Sequence, residues 1–152
     1  IEEKITNNYD LPKAESILNQ AGYKTGQLDI TISVSDSISD FKNIASELKK
    51  YWERIDQINK VTIEPYSWDT FTSKVFNNEV GLYILGWNID NPDPIFLLDY
   101  FVNHHLDNDV GEDLIQKAKM NLNNKSEALN YLYELEEKVS NEGLMYPLHY
   151  YE

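Results

Sequence analysis

The sequence predicts an α/β fold, a parallel-core sheet flanked by helices, and three observations carry that prediction. Two segments, Leu28 to Val34 and Val61 to Pro65, alternate apolar with polar residues as half-buried strands do. Between and after them, apolar residues recur at spacings of three and four, the period of a helix with one buried face. A third short run, Leu82 to Trp87, is apolar almost throughout, the pattern of a strand covered on both faces. Strand, helix, strand, helix, strand with short loops is the order that builds a right-handed parallel sheet.

Each element has its own local reason. Asp10-Leu11-Pro12 caps a helix that places Ala14, Ile17, Leu18 and Ala21 on one side and stops at Gly22. Leu28, Ile30, Ile32 and Val34 then form the first strand. Phe41, Ile44, Ala45, Leu48, Trp52 and Ile55 predict an amphipathic helix from Asp40 to about Asp56, with Lys42, Glu47, Lys49, Lys50 and Glu53 on its polar side. After the second strand, Ser67 offers an N-cap and Asp69 a first-turn acid for a helix through Phe71, Val75 and Phe76. Ile95 to Val102 reads as a short helix, and Asp113 to Leu122 and Lys125 to about Asn141 as two longer ones. Ala128, Leu132, Leu135 and Val139 give the last of these its apolar face, and Pro147 to Tyr151 reads as a final strand.

At 152 residues the chain suits a single domain, 1–152, able to bury roughly two thirds of its unfolded surface. A net charge of -13 argues against binding nucleic acid through its phosphates, which needs clustered Lys and Arg. No basic helix suggests an anionic membrane surface, and no apolar run approaches the roughly 18 residues of a membrane span. The absence of cysteine removes disulfides, thiolate nucleophiles and zinc-thiolate sites. The chain starts at Ile1 without Met, which reads as a piece of a longer protein.

Chemistry is expected at the end of the third strand. In open parallel sheets ligands gather beyond the carboxyl ends of the strands, and Gly86-Trp87-Asn88-Ile89-Asp90-Asn91-Pro92-Asp93-Pro94 lies at such an end. Trp87 offers a flat stacking surface and Asp90 a charge for a cation or a donor. Both acids have a second reading, because Asp before Pro favours turns and helix caps, and Asp93 sits at an N-cap position. His104-His105 are adjacent and diverge on a helix, so they read as a surface loop rather than a metal site. Asp107 to Asp113 lacks the twelve-residue calcium pattern and reads as a helix cap. Asn124-Lys125-Ser126 fits a short and unspecific glycosylation pattern. Phosphate-binding glycine loops and a serine elbow are missing from the sequence. No metal or cofactor is expected and no motif supports catalysis; eleven tyrosines and three tryptophans exceed what a core of this size needs and suit a binding surface, with packing the default reading of most of them.

Several stretches together resemble the extracellular solute-binding proteins of family 5, the peptide and nickel receptors of ABC importers. Tyr9 to Tyr23 is similar to the family's acidic-Pro-x-Ala-x-x-Leu-Leu-x-x-Ala-Gly-Tyr segment, and Trp68-Asp69-Thr70-Phe71 to its W-x-x-F helix start. Gly86 to Pro94 with Phe96-Leu97 resembles its G-W-x-x-D-x-x-D-P-x-x-F-L signature. Leu114 to Ala118, Tyr133 to Val139 and Tyr146 to Tyr150 continue in the family's order. Ile58-Asn59-Lys60-Val61 departs from the family's Gly-Ile-x-Val, after a slightly longer connection.

The resemblance implies one lobe of a two-lobed, periplasmic-binding-protein-like fold, the C-terminal lobe, closing on a solute against an N-terminal lobe of the same protein. It implies a binding component with no enzymatic activity, a peptide as solute and an ABC permease as partner. It also implies a place at the bacterial cell surface or in the periplasm, with membrane association only through a lipid anchor outside these residues. Residue by residue, it implies Asp90 for the peptide's α-ammonium and Trp87 and Asn88 for the cleft wall. An Arg that aids carboxylate recognition in some members is replaced here by Ile84, so no carboxylate partner is carried over. A receptor for nickel chelates, oligosaccharides or another solute is the same-class alternative, and a small α/β enzyme or protein-interaction domain the alternative of another class.

Overall fold

The computed structural model describes residues 9–86, 95, 96, 98, 99, 102 and 109–148. They fall into two compact units, 9–86 and 95–148, each with its own core.

The first unit carries α1 (Leu11–Gln20), β1 (Leu28–Ser35), α2 (Ser39–Trp52), β2 (Ile58–Tyr66) and α3 (Trp68–Phe76). Asp10 caps α1 as its sequence requires, its carboxylate accepting from the Lys13 N–H at 3.0 Å. Gly22 ends the helix in the left-handed region, at φ 91°. The apolar side of α1 is only partly covered: Leu11, Ala14 and Leu18 are half-buried, none of its residues is buried, and Ile17 is 55% exposed. What ties the helix down is polar, the Gln57 side-chain amide donating to Asn19 Oδ1 at 2.9 Å.

β1 and β2 run parallel. The register slips once, since Leu28 faces Ile58 but Asp29 faces Lys60, leaving Asn59 as the extra residue of a bulge. That bulge falls on the segment that departs from the family's pattern. It also lengthens β2 to begin three residues before the expected Val61. Asn59 secures it from the side by donating to Asp29 Oδ1 at 2.8 Å.

A third parallel segment joins β1 on its other edge. Ser33 N–H donates to Leu82 O at 2.9 Å and Ile84 N–H to Ser33 O at 3.2 Å, which pairs Ser33 with Tyr83. β1 is thus flanked on both sides there, and the half-buried alternation expected of it holds only over Leu28–Thr31: Ile32, Ser33, Val34 and Ser35 are all buried. The third strand is correspondingly shorter than the Leu82 to Trp87 run suggested. Among the described residues it makes one bridge, and Leu82 remains 38% exposed.

The two faces of this sheet are filled differently. Ile32, Val34, Val61 and Ile84 meet Phe41 and Ala45 of α2 in one cluster. Residues one step along a strand point the opposite way, so Ser33, Ser35 and Tyr83 face away from α2, and Tyr83 there meets the buried Phe71 of α3 edge-on at 6.3 Å. Right-handed crossovers produce this arrangement when the third strand lies beyond the first. α2 ends at Trp52, earlier than the periodicity suggested, because residues 53–55 tighten into turns closed by Arg54 N–H to Tyr51 O and Ile55 N–H to Trp52 O.

In the second unit, Ile95, Phe96, Leu98, Asp99 and Val102 are helical, followed by α4 (Asp109–Met120) and α5 (Lys125–Asn141). α4 begins four residues before the expected Asp113, and α5 has the expected bounds. Leu98, Val102, Leu114, Ile115, Ala118, Leu132, Leu135 and Val139 form its core. Lys119 and Asp99 pair at 2.7 Å beside it. Asn124 accepts from the Glu127 N–H while its own amide donates to Glu127 Oε2 at 3.0 Å, a reciprocal cap. Residues 145–148 are irregular, and the rest of the expected final strand lies outside the described residues. Among the described residues no helix is long and apolar enough to cross a membrane.

Candidate functional site

Parallel pairing brings three carboxyl ends to one side of the first unit: Ser35 of β1, Tyr66 of β2 and Gly86 beyond the third segment. Asp36 N–H donates to Tyr66 O at 2.8 Å and ties the first two together. Both α2 and α3 start from this end, so their first-turn N–H groups and the positive ends of their dipoles lie there. Neither is capped by a side chain. Ile38 stands at the N-cap of α2 and has no oxygen to offer, and the Ser67 hydroxyl donates instead to Thr70 Oγ1 at 2.9 Å. Ser67 thus holds the predicted position without making the predicted bond. Asp40 and Asp69 occupy the two first turns and supply the negative charge that each dipole favours.

Two aromatic residues line the same end. Trp68 is 42% exposed and leans on Phe71 with ring centroids 6.2 Å apart. The Tyr66 hydroxyl donates to Glu64 Oε2 at 2.6 Å, and this bond to a carboxylate raises the phenol's pKa above its usual 10.0, so the hydroxyl stays a donor at neutral pH. Lys74 Nζ sits 5.3 Å from the Tyr66 ring centre and pairs with Glu79 at 3.3 Å. Gly86 closes the group: a Cβ there would meet Phe41 Cζ at 2.9 Å, so the chain passes the buried ring at a distance only glycine allows.

Trp87, Asn88 and Asp90, the residues expected to bind solute, lie outside the described residues, as do Asp93, His104, His105 and Asp107. Gly86, the residue before them in sequence, is described. Ile84, where some family members carry an Arg, is buried in the α2-facing core. Tyr66 and Trp68, the aromatic residues that do lie at this end, are not among those expected there from the sequence. The signal was available, because Trp68 opens the W-x-x-F helix start directly after a strand. Among the described residues no three His, Cys, Asp or Glu side chains lie close enough to hold a metal ion.

Stacking faces, open helix N-termini and acids at the carboxyl end of a parallel sheet are features that ligand-binding α/β proteins use. The sequence is more specific: residues 2–108 match the family model of bacterial extracellular solute-binding proteins, family 5. The chain belongs to that family.

Three solved structures share the fold. A periplasmic murein tripeptide binding protein, MppA, in an unliganded open form superposes with a TM-score of 0.76 at 15% identity, over 88% of this chain and 27% of that one. A protein assigned as peptide-binding, AppA from Clostridium difficile, gives 0.74 at 20% identity, over 90% and 29%. The peptide-binding protein of a peptide ABC transporter gives 0.73 at 20% identity, over 90% and 63%. The chain therefore spans between about a quarter and two thirds of the length of these structures. No curated protein matches the sequence.

Proposed function

We propose that residues 1–152 form one α/β lobe, the C-terminal one, of a two-lobed receptor that binds peptides and delivers them to the permease of an ABC importer. Membership of the family supports the reading, and so do the peptide-binding descriptions of the structures that share the fold. The observation that carries it is where the family signature begins. Gly86 lies just beyond the third parallel segment, on the side where Ser35 and Tyr66 end theirs, and Trp87 to Asp90 follow it directly in the chain.

In this reading Asp90 pairs with the peptide's α-ammonium, while Trp87 and Asn88 line the cleft and Trp68 adds a second aromatic face. A carboxylate in a closing, poorly hydrated cleft attracts a cation far more strongly than one in bulk water. Affinity arises from closure, since only contacts made in the closed state shift the balance towards it. The lobe binds and releases, performs no reaction and needs no cofactor. It works outside the cytoplasm, and a lipid anchor elsewhere in the protein holds it at the membrane.

Calorimetry on the two-lobed protein tests this. Short peptides with a free N-terminus bind more than about tenfold tighter than their N-acetylated forms, and Asp90→Asn removes most of that difference. Equal affinities for free and acetylated peptides overturn the amine-binding role. Binding of a nickel chelate or an oligosaccharide with no response to any peptide assigns the other solute class.

A further inference from the structure

Lys49, in the last turn of α2, and Glu53, its C-cap residue, lie one turn apart and reach the backbone of the same residue of β2. Glu53 Oε1 accepts from the Val61 N–H at 3.2 Å, and Lys49 Nζ donates to Val61 O and to Glu53 itself. These are the two backbone groups that a neighbouring strand would engage. They point away from β1, because Ile30 pairs with Val61 in a parallel ladder, where the flanking Lys60 and Thr62 make the bonds to β1. Two residues further the same edge offers Ile63, and two beyond that Pro65, which has no N–H to give. An outward row of free donors and acceptors is a template for strand addition. Here the row is interrupted at two of its positions, by different means.

We propose that the Lys49–Glu53 pair is an edge-closing clamp, standing in for a neighbouring strand at Val61 and, with Pro65, barring β2 from pairing with an extended chain. The pair differs in this from Lys50–Glu47, which lies on the same helix and reaches no backbone group. The partner it excludes is any extended peptide, including a strand of a second copy. For a protein read as a peptide receptor, that keeps main-chain pairing with peptides away from β2, the outer strand of the sheet among the described residues.

Amide hydrogen exchange on the 152-residue chain tests the clamp. In Glu53→Ala, exchange at Val61 accelerates at least tenfold relative to Thr62, whose N–H faces β1, while Glu47→Ala leaves the ratio within twofold. Equal acceleration at Val61 and Thr62, or none at either, overturns the clamp, because the pair would then act only on global stability or not at all. The native chain gives a second measurement that needs no variant. The Val61 amide proton shift follows titration of the Glu53 carboxyl as pH falls, and a Val61 shift that stays flat through that range overturns the hydrogen bond on which the clamp depends.

Discussion

The position a Cβ would take on Gly86 lies 2.9 Å from Phe41 Cζ and 3.4 Å from its Cε1. Phe41 is 3% exposed, in the first turn of α2, so its ring has little room to withdraw. Gly86→Ala therefore pushes a buried ring off its packing and destabilises the first unit by about 1–3 kcal/mol, the usual cost of overpacking a core. Phe41→Leu costs stability alone but lessens the penalty of Gly86→Ala, with a coupling of roughly 1 kcal/mol in a double-mutant cycle. Urea denaturation of the four proteins measures it, and strict additivity would contradict the contact.

Among the described residues Phe71 is the largest fully buried side chain, packed between Trp68 at 6.2 Å and Tyr83 at 6.3 Å. It joins the start of α3 to the third strand, two elements that meet beside the carboxyl ends. Phe71→Ala leaves a ring-sized cavity and costs about 3–5 kcal/mol. A fall in the denaturation midpoint of this size is expected, together with altered Trp68 fluorescence in the folded state. Unchanged fluorescence would mean that the two rings do not share an environment.

How much of this was legible in the sequence follows from which interactions are local. α5 had its bounds in the sequence because Ala128, Leu132, Leu135 and Val139 keep one helical face and Asn124 caps it. Parallel order was legible from the alternation of strands and helices. The burial of Ser33 and Ser35 was not, since it depends on a strand fifty residues away and on the face of α3 that covers them. The bulge at Asn59 was visible only as a departure from a motif, without its geometry. At the site, the glycine of the signature had no stated reason in sequence terms. Its reason is Phe41, forty-five residues earlier.

Glu53 is held below its ordinary carboxylate pKa of 4.5, first by the hydrogen bond from Lys49 and then by the Val61 N–H. A carboxyl whose folded pKa is lowered contributes stability that is fully present above the unfolded value and is lost as pH falls through the folded one. The chain thus loses a contribution on acidification below about pH 4.5 that Glu53→Gln never had. Urea midpoints measured from pH 7 to pH 3 converge for the two proteins at the acid end and separate towards neutrality. Parallel curves across the whole range would show that Glu53 is no better stabilised in the folded chain than in the unfolded one.

α1 is expected to be the first element to open. It buries none of its residues, and its polar tie is the Asn19–Gln57 contact, in which Gln57 is 3% exposed with its Oε1 unpartnered. Amides of α1 exchange before those of α2, whose Phe41 and Ala45 lie in the core. Gln57→Ala widens the gap by releasing Asn19, and an order in which α2 exchanges first would contradict the burial pattern.

Clamp-like closure, proposed for the whole receptor, needs two walls. In that proposal residues 1–152 supply one wall of the cleft, and a peptide laid on one wall keeps most of its water and gains none of the contacts that closure adds. Association still costs several kcal/mol of translational and rotational freedom, which a single open face offsets poorly. The 152-residue chain alone should therefore bind short free-amine peptides with a Kd above about 1 mM, whereas the two-lobed protein binds them in the micromolar range or tighter. Calorimetry or chemical-shift titration of both measures the difference. Micromolar affinity for the 152-residue chain would mean that these residues form a complete site by themselves, and that closure against a second lobe is not the source of affinity.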